Sequence, residues 1–149
     1  MQPDYLRRSA VMPLLLEACP SFRPRWEEHV AWSGYEPLLH VDISEFGTHI
    51  AGLARRGNDA ELQSVFAAIE RLLAEGDDDV QNAVAVSFLE ELGGHFGSFE
   101  AAERSLSRHF GARTAADWRE ITAPINVWDR LRRWWRRRAM PLSQNSLCE

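Results

Sequence analysis

Lysine is absent from this 149-residue sequence, in which all 17 basic residues are arginine. Its absence excludes Schiff-base chemistry and the phosphate-binding lysine of P-loops. Cysteine is scarce as well, because only Cys19 and Cys148 occur, near opposite ends. A disulfide-stapled secreted scaffold would carry more cysteines, so we predict a protein of the reducing cytoplasm. No apolar run approaches the length of a membrane span, and we expect no membrane partner.

Motifs that carry catalysis or bind cofactors are missing too. The sequence has no glycine pattern for phosphates or dinucleotides, no His-Glu-x-x-His and no paired Cys-x-x-Cys. The stretch "GGHFGS" brings His95 close to Ser98, but it lacks the strand–elbow–helix setting that activates a serine. A break between two helices explains its glycines. We therefore predict that the protein is not an enzyme and has no cofactor.

Acidic and histidine residues recur in one pattern, Glu-x-x-x-His. The three pairs are Glu36–His40, Glu45–His49 and Glu91–His95. Di-iron bundles use Glu-x-x-His instead, which projects both ligands inward. The spacing found here is that of surface ion pairs on a helix. We predict no metal site from these pairs.

Three consecutive aspartates, Asp77–Asp79, invite comparison with a calcium loop. Counted from Asp77, an EF-hand loop would need glycine at position six and glutamate at position twelve. The sequence places Asn82 and Phe88 there. Carboxylates at a helix N-terminus meet unpaired N–H groups and the positive end of the helix dipole. The run is therefore predicted to start a helix, and capping leaves at least one of its carboxylates for a surface role.

Helix signals divide the whole chain, whereas strand signals are nearly absent. The length suits a single domain with one core. Short gaps between helices favour antiparallel neighbours. We predict an all-α, single-domain bundle of about six to eight short helices over residues 1–149.

Capping residues, glycine stops and apolar periodicity place eight candidate helices. Their approximate bounds are 4–18, 21–33, 42–56, 59–75, 79–92, 98–110, 114–121 and 126–140. Asp42 with Glu45 reads as a capping box, and Asp79 and Thr114 are the expected starts of two later helices. The stretch "YEPLLHV" (35–41) fits either a helical turn or a short extended piece.

Two of these helices have well-defined inner faces. The expected core positions are Leu62, Val65, Phe66, Ile69, Leu72 and Leu73 in the first, and Val80, Ala83, Val84, Phe88 and Leu92 in the second.

Charge is divided unevenly along the chain. Residues 1–129 hold 11 arginines against 21 acidic residues, whereas residues 130–149 hold six arginines against one. In "WDRLRRWWRRRAM" (128–140), the residues Val127, Leu131, Trp134 and Trp135 form one helical stripe. We expect this basic helix to dock on the acidic body, with a frayed C-terminus after it. A nucleic-acid-binding regulator is the alternative, in which the basic face would be Arg132, Arg133, Arg136 and Arg137.

Three stretches resemble a family of small, mostly uncharacterised bacterial helical proteins. They are "LLLEACP" (14–20), "ACPSFRPRWEEHVAW" (18–32) and "DISEFGTHIAGLARRGNDAELQSVFAAIERLLAEGDDDVQNAVAVSFLEEL" (42–92). The shared pattern is a Pro-Phe…Trp motif, a helix ending in glycine, an aromatic–Ile-Glu helix, an acidic turn and a Leu-Glu-x-Leu helix. Members look like immunity proteins, which bind and block a cognate bacterial toxin. The resemblance implies no catalytic residues.

An inhibitor of that kind needs only a surface complementary to its toxin. An acidic surface would steer association with a basic toxin. We expect the partner to be a cognate protein toxin encoded nearby, and nucleic acid to be a poor partner for an acidic body. The expected partner-binding residues are Asp77, Asp78, Glu90 and Glu91, because no basic residue lies between them.

Overall fold

The computed structural model describes residues 5–32 and 34–124, and these form seven α-helices. The helices are α1 Arg8–Ala18, α2 Arg23–Ala31, α3 Leu39–Arg56, α4 Asp59–Glu75, α5 with segments Asp78–Val84, Ala85–Glu90 and Glu91–His95, α6 Phe99–Leu106 and α7 Ala112–Thr122. Short 3₁₀ turns precede α2 and follow α6. The prediction of a single all-α domain is confirmed. None of these helices is both long and apolar enough to cross a membrane.

The core lies where α3, α4 and α5 meet, and α1 and α7 close it from the sides. All eleven core positions predicted on α4 and α5 are buried. The largest buried side chains are Trp118, Phe22, Phe46, Phe66 and Phe88. Aromatic rings bury more apolar area than other side chains, so these five contribute a large share of the stability.

The helix starts differ from the predictions at several points. Asp4 lies outside the described residues, and α1 begins at Arg8. Asn58, one residue before the predicted Asp59, caps α4 by accepting from the backbone of Glu61. Asp77, two residues before the predicted Asp79, caps α5. Each shift moves the cap to the last residue whose backbone is still extended or irregular, which is where a side chain can reach back to the first turn.

The predicted capping box at Asp42 is wrong. Residues 35–38 are not helical, α3 starts at Leu39, and Asp42 lies in the first turn of that helix with 4% of its surface exposed. Its carboxylate is 2.9 Å from His29 Nε2 and accepts a hydrogen bond from the Tyr35 hydroxyl at 3.1 Å. Tertiary partners on α2 and on the loop before α3 therefore bind this carboxylate in place of the backbone.

The predicted break at "GGHFG" begins three residues later than expected, at Phe96, because α5 continues to His95. Its middle segment, Ala85–Glu90, is a π-helical turn. Gly93 is needed inside the helix, since a Cβ there would lie 2.6 Å from the ring of Phe99. Packing of that aromatic ring against bare backbone compensates for the low helix propensity of glycine.

Thr114 does not cap α7, which begins at Ala112. Glu70 of α4 supplies the cap instead. Its carboxylate accepts from the backbone N–H groups of Arg113 (2.7 Å) and Thr114 (2.8 Å) and from the Thr114 hydroxyl (2.8 Å). The predicted helix α6 is shorter than expected and ends at Leu106, although its predicted cap, Ser98, is confirmed. The predicted closing helix 126–140 lies outside the described residues.

Candidate partner-binding face

Three side-chain hydrogen bonds join α3 to α5 at regular intervals. They are His40–Ser87 (2.6 Å between Nδ1 and Oγ), Ser44–Glu91, and Thr48–His95 (3.4 Å between Oγ1 and Nε2). Each pair is separated by 47 residues in the sequence, and successive pairs are four residues apart. A constant separation of this kind means that the two helices run parallel and in register, one turn per hydrogen bond.

The two sides of this parallel pair differ in character. On the inner side the ring of Phe46 stacks on that of Phe88, with centroids 5.8 Å apart. On the outer side Val41 and Val86 are 47% and 42% exposed. Val41 follows the α3 residue of the His40–Ser87 pair and Val86 precedes its α5 residue. In parallel helices, positions so placed point to the same side.

We name this outer surface the ladder face and define it by Val41, Val86, Glu90 and the three hydrogen-bonded pairs. Val86 and Glu90 belong to the π-helical turn of α5. Single π-helical turns inside α-helices are rare and occur frequently at functional sites. The face continues along α5 toward its N-terminus through Asn82 and Asp79, which recur at intervals of three and four residues.

Carboxylates at both ends of this stripe are free of internal partners. Asp78 and Asp79 are exposed and Glu90 is half-buried. None of the three forms a side-chain hydrogen bond or ion pair within residues 5–32 and 34–124. Asp79 and Glu90 are 11 residues apart, which corresponds to roughly 16 Å along the helix. The stripe thus has an apolar centre and negative ends.

The four predicted partner-binding acids fall into two groups. Asp78 and Glu90 are available to a partner, as expected of surface residues. Asp77 accepts from the backbone of Val80 at 3.0 Å, and Glu91 accepts from the Ser44 hydroxyl. The fold therefore uses these two, and Asp79 replaces Asp77 in the acidic surface. The alternative basic residues Arg132, Arg133, Arg136 and Arg137 lie outside the described part of the chain.

The members of the three Glu-x-x-x-His pairs do not bind each other, and all of them except Glu36 bind other residues. Glu45 pairs with Arg25 at 2.8 Å, and His49 Nε2 lies 2.9 Å from the hydroxyl of Ser21. Glu91 and His95 both contribute to the α3–α5 hydrogen bonds. In the described ranges no three His, Cys, Asp or Glu side chains come together in a way that could hold a metal ion.

The contact between Ser21 and His49 has the geometry of a nucleophile beside a base. Burial lowers the pKa of His49, with a further contribution from Arg56, which favours the neutral imidazole. However, the backbone N–H of Ser21 donates to Glu61 at 2.8 Å. A carboxylate at that position opposes the negative charge of a tetrahedral intermediate.

The neighbouring thiol offers no alternative nucleophile. Cys19 is buried, and burial raises its pKa to about 12, so the thiol stays protonated. The Ser21–His49 pair and Cys19 thus serve to join the 3₁₀ turn before α2 to α3 and α4.

Sequence reasoning missed the two valines and the hydrogen bonds beside them. Val86 could have been found, because it falls off the inner-face periodicity of Val80, Val84 and Phe88. The pairing of His40 with Ser87 has no sequence signal, since it depends on how α3 and α5 are aligned in space.

Comparison with known proteins gives a family without an assigned activity. Residues 12–128 match the family described as "Domain of unknown function (DUF7674)". Searches of curated proteins and of solved structures returned no match. The family match includes residues 14–92 and continues through α7. It ends at residue 128, before the arginine-rich stretch. Because the match spans most of the sequence, the chain belongs to the DUF7674 family.

Proposed function

We propose that this protein is an immunity protein, which binds a basic bacterial toxin through the ladder face and neutralises it. The observation that carries the proposal is the pair of exposed valines, Val41 and Val86, beside carboxylates that have no partner among the described residues. Isolated exposed apolar side chains are common on protein surfaces. Two on adjacent helices, one of them on a π-helical turn and both near carboxylates without partners in the described residues, are typical of a binding surface.

The energetics of protein interfaces support separate roles for the valines and for the carboxylates. Apolar side chains at the centre of an interface lose water on binding and supply much of the affinity, while charges at the rim mainly accelerate association. Val41 and Val86 occupy the central position on the ladder face. Asp78, Asp79 and Glu90 occupy its ends. A basic partner satisfies both requirements.

The charge of the body supports a basic partner as well. The described residues hold 11 arginines and 19 acidic residues, a difference of −8. Four arginines form ion pairs with carboxylates on the protein itself, namely Arg25, Arg71, Arg108 and Arg113. A long-range negative potential of this kind attracts a positively charged protein and repels nucleic acid.

A binding role is also consistent with the chemistry of the polar clusters. The closest approach to a catalytic pair, Ser21 with His49, is held beside the Glu61 carboxylate, as described above. Asp42 is occupied by His29 and Tyr35. Inhibition by occlusion needs no reactive group, so the ladder face is sufficient for the proposed function.

The proposal is tested by co-expressing the protein with the toxin encoded beside its gene. We expect cells to survive and the purified proteins to form a complex. Replacing both valines, in the double variant Val41→Ser/Val86→Ser, should raise Kd at least 10-fold, because the interface loses its apolar centre. Both side chains are largely exposed, so circular dichroism should show an unchanged fold.

The matched control is Trp32→Ser, which removes a side chain that is more exposed than either valine but lies outside α3 and α5. We expect it to leave Kd unchanged. An equal loss of affinity in the control would show that the ladder face is not the binding surface. If the neighbouring toxin is neither bound nor neutralised, the immunity assignment is wrong.

A further inference from the structure

We propose that the arginine- and tryptophan-rich segment 126–140 of this chain docks on the ladder face and competes there with the protein partner. The competition with a partner rests on the proposed function, whereas the docking itself does not. We take this segment to be the occupant of the exposed Val41–Val86 surface because of its charge and its chemical pattern.

Charge complementarity is the first argument. Residues 130–138 contain six arginines and no acidic residue. The ladder face is flanked by Asp78, Asp79 and Glu90, which have no internal partners in the described ranges. Two arginines of α2 and α3 already have other partners, because Arg25 pairs with Glu45 and Arg55 donates to the carbonyl of His95.

The pattern of apolar residues is the second argument. In the helix that the sequence predicts for this segment, Val127, Leu131, Trp134 and Trp135 form one stripe with arginines at its margins. The ladder face presents the complementary arrangement, which is an apolar centre between two acidic ends. Tryptophan and arginine are also the residues most enriched among the energetically dominant contacts of protein interfaces.

The family match ends within this segment. The DUF7674 match runs to residue 128, so it includes Val127 of the stripe, whereas all six of these arginines follow it. The family pattern therefore does not depend on these arginines.

A paramagnetic label tests the docking in the full chain. Met140→Cys in a Cys148→Ser background gives one reactive thiol, because Cys19 is buried and its thiol protonated. With a nitroxide at position 140, we expect the amide signals of Val41, Val86 and Glu90 to broaden in NMR spectra. Signals of Glu17 on α1 and Ser64 on α4 should broaden much less.

Charge reversal supplies the decisive comparison. Arg136→Glu/Arg137→Glu should abolish the broadening on the ladder face. The matched control Arg23→Glu/Arg104→Glu changes two exposed arginines that have no side-chain partner within residues 5–32 and 34–124, and it should preserve the broadening. Uniform broadening, or broadening centred on another face, would overturn the proposal.

A mixture of isotope-labelled chains without nitroxide and unlabelled chains with nitroxide identifies the source of the broadening. Broadening in that mixture would mean that the segment binds a second copy, which contradicts docking within one chain. Docking of the segment together with failure to bind any toxin would refute the immunity function alone. Toxin binding without docking would refute this inference alone.

Discussion

The N-termini of α5 and α7 are both occupied by carboxylates, but these carboxylates come from different parts of the chain. Helix α5 is capped by Asp77, the residue directly before it. Helix α7 is capped by Glu70, which belongs to α4 and is more than 40 residues away. Asp78 and Asp79 lie in the first turn of α5 and bind nothing in the described body. Carboxylates at a helix start thus have three roles here. One caps its own helix, one caps a helix distant in sequence, and two remain exposed without a partner in the described body.

The comparison suggests that a carboxylate's contribution to stability depends on how many groups it satisfies. Glu70 accepts three hydrogen bonds, Asp42 two, Asp77 one, and Asp78 or Asp79 none. A hydrogen bond to a charged group contributes about 1.5–3 kcal/mol when it is protected from water, and less at an exposed cap. We therefore predict that replacement by alanine lowers the free energy of unfolding most at Glu70, less at Asp42, less again at Asp77, and least at Asp78 or Asp79.

Replacement of Glu70 by alanine should have the largest effect. We expect Glu70→Ala to lower the free energy of unfolding by about 3 kcal/mol, because α7 loses the acceptor for two N–H groups and the buried Thr114 hydroxyl. Urea denaturation followed by circular dichroism measures this. Glu103→Ala, on the exposed surface of α6, is the control and should change stability by less than about 0.5 kcal/mol. Equal effects of the two changes would contradict the cap.

The contribution of Glu70 should also depend on pH. Burial acts to raise the pKa of this carboxyl, but the N–H donors of Thr114 and Arg113 outweigh burial and hold the pKa below its ordinary value of 4.5. A depressed pKa in the folded state stabilises the protein above pH 4.5, and this stabilisation is lost as pH falls through the folded-state pKa. The stability difference between wild type and Glu70→Ala should therefore be constant near neutral pH and shrink below pH 4.5.

Asp42→Ala should have the second-largest effect, about 2 kcal/mol. The change leaves His29 and the Tyr35 hydroxyl without their shared acceptor and releases the loop before α3. Burial and the neighbouring Asp42 raise the pKa of Tyr35 to about 12. Spectrophotometric titration of tyrosine should show this raised pKa return toward its ordinary value of 10 in the variant. An unchanged titration would mean that the hydroxyl does not bind Asp42.

These sites show which parts of the fold can be predicted from sequence. The inner faces of α4 and α5 could be predicted, because apolar periodicity records burial directly. The cap of α5 was predicted two residues too late, since Asp77, Asp78 and Asp79 are equivalent in composition and only backbone geometry selects among them. The roles of Glu70 and Asp42 could not be predicted, because their partners are distant in sequence. The ladder face was missed for the same reason.

Asp77→Ala tests whether Asp77, and not Asp79, is the N-cap of α5. We expect a loss of about 1 kcal/mol, the usual contribution of an N-cap aspartate. Asp79→Ala is the matched control, because it removes the same charge from the same turn without removing the hydrogen bond to Val80. Its effect should stay within about 0.5 kcal/mol, as expected for the helix dipole alone. A larger loss from Asp79→Ala than from Asp77→Ala would restore Asp79 as the cap.

Reversal of the free carboxylates should affect stability least and partner association most. The triple variant Asp78→Lys/Asp79→Lys/Glu90→Lys should change the free energy of unfolding by about 1 kcal/mol or less, because only unfavourable dipole and surface charge effects are introduced. Association with a basic toxin should slow at least 10-fold at low salt and lose most of its salt dependence, since charges at the rim of an interface act chiefly on the association rate. Stopped-flow or surface plasmon resonance at two ionic strengths measures the association rate and its salt dependence.

The control reverses Glu17, Glu100 and Glu103, which are exposed elsewhere on the body. Because the two variants carry the same net charge, a difference between them depends on where the charges lie. An equal slowing in both would show that the toxin senses only the overall negative charge, and that the acidic ends of the ladder face have no special part in recognition.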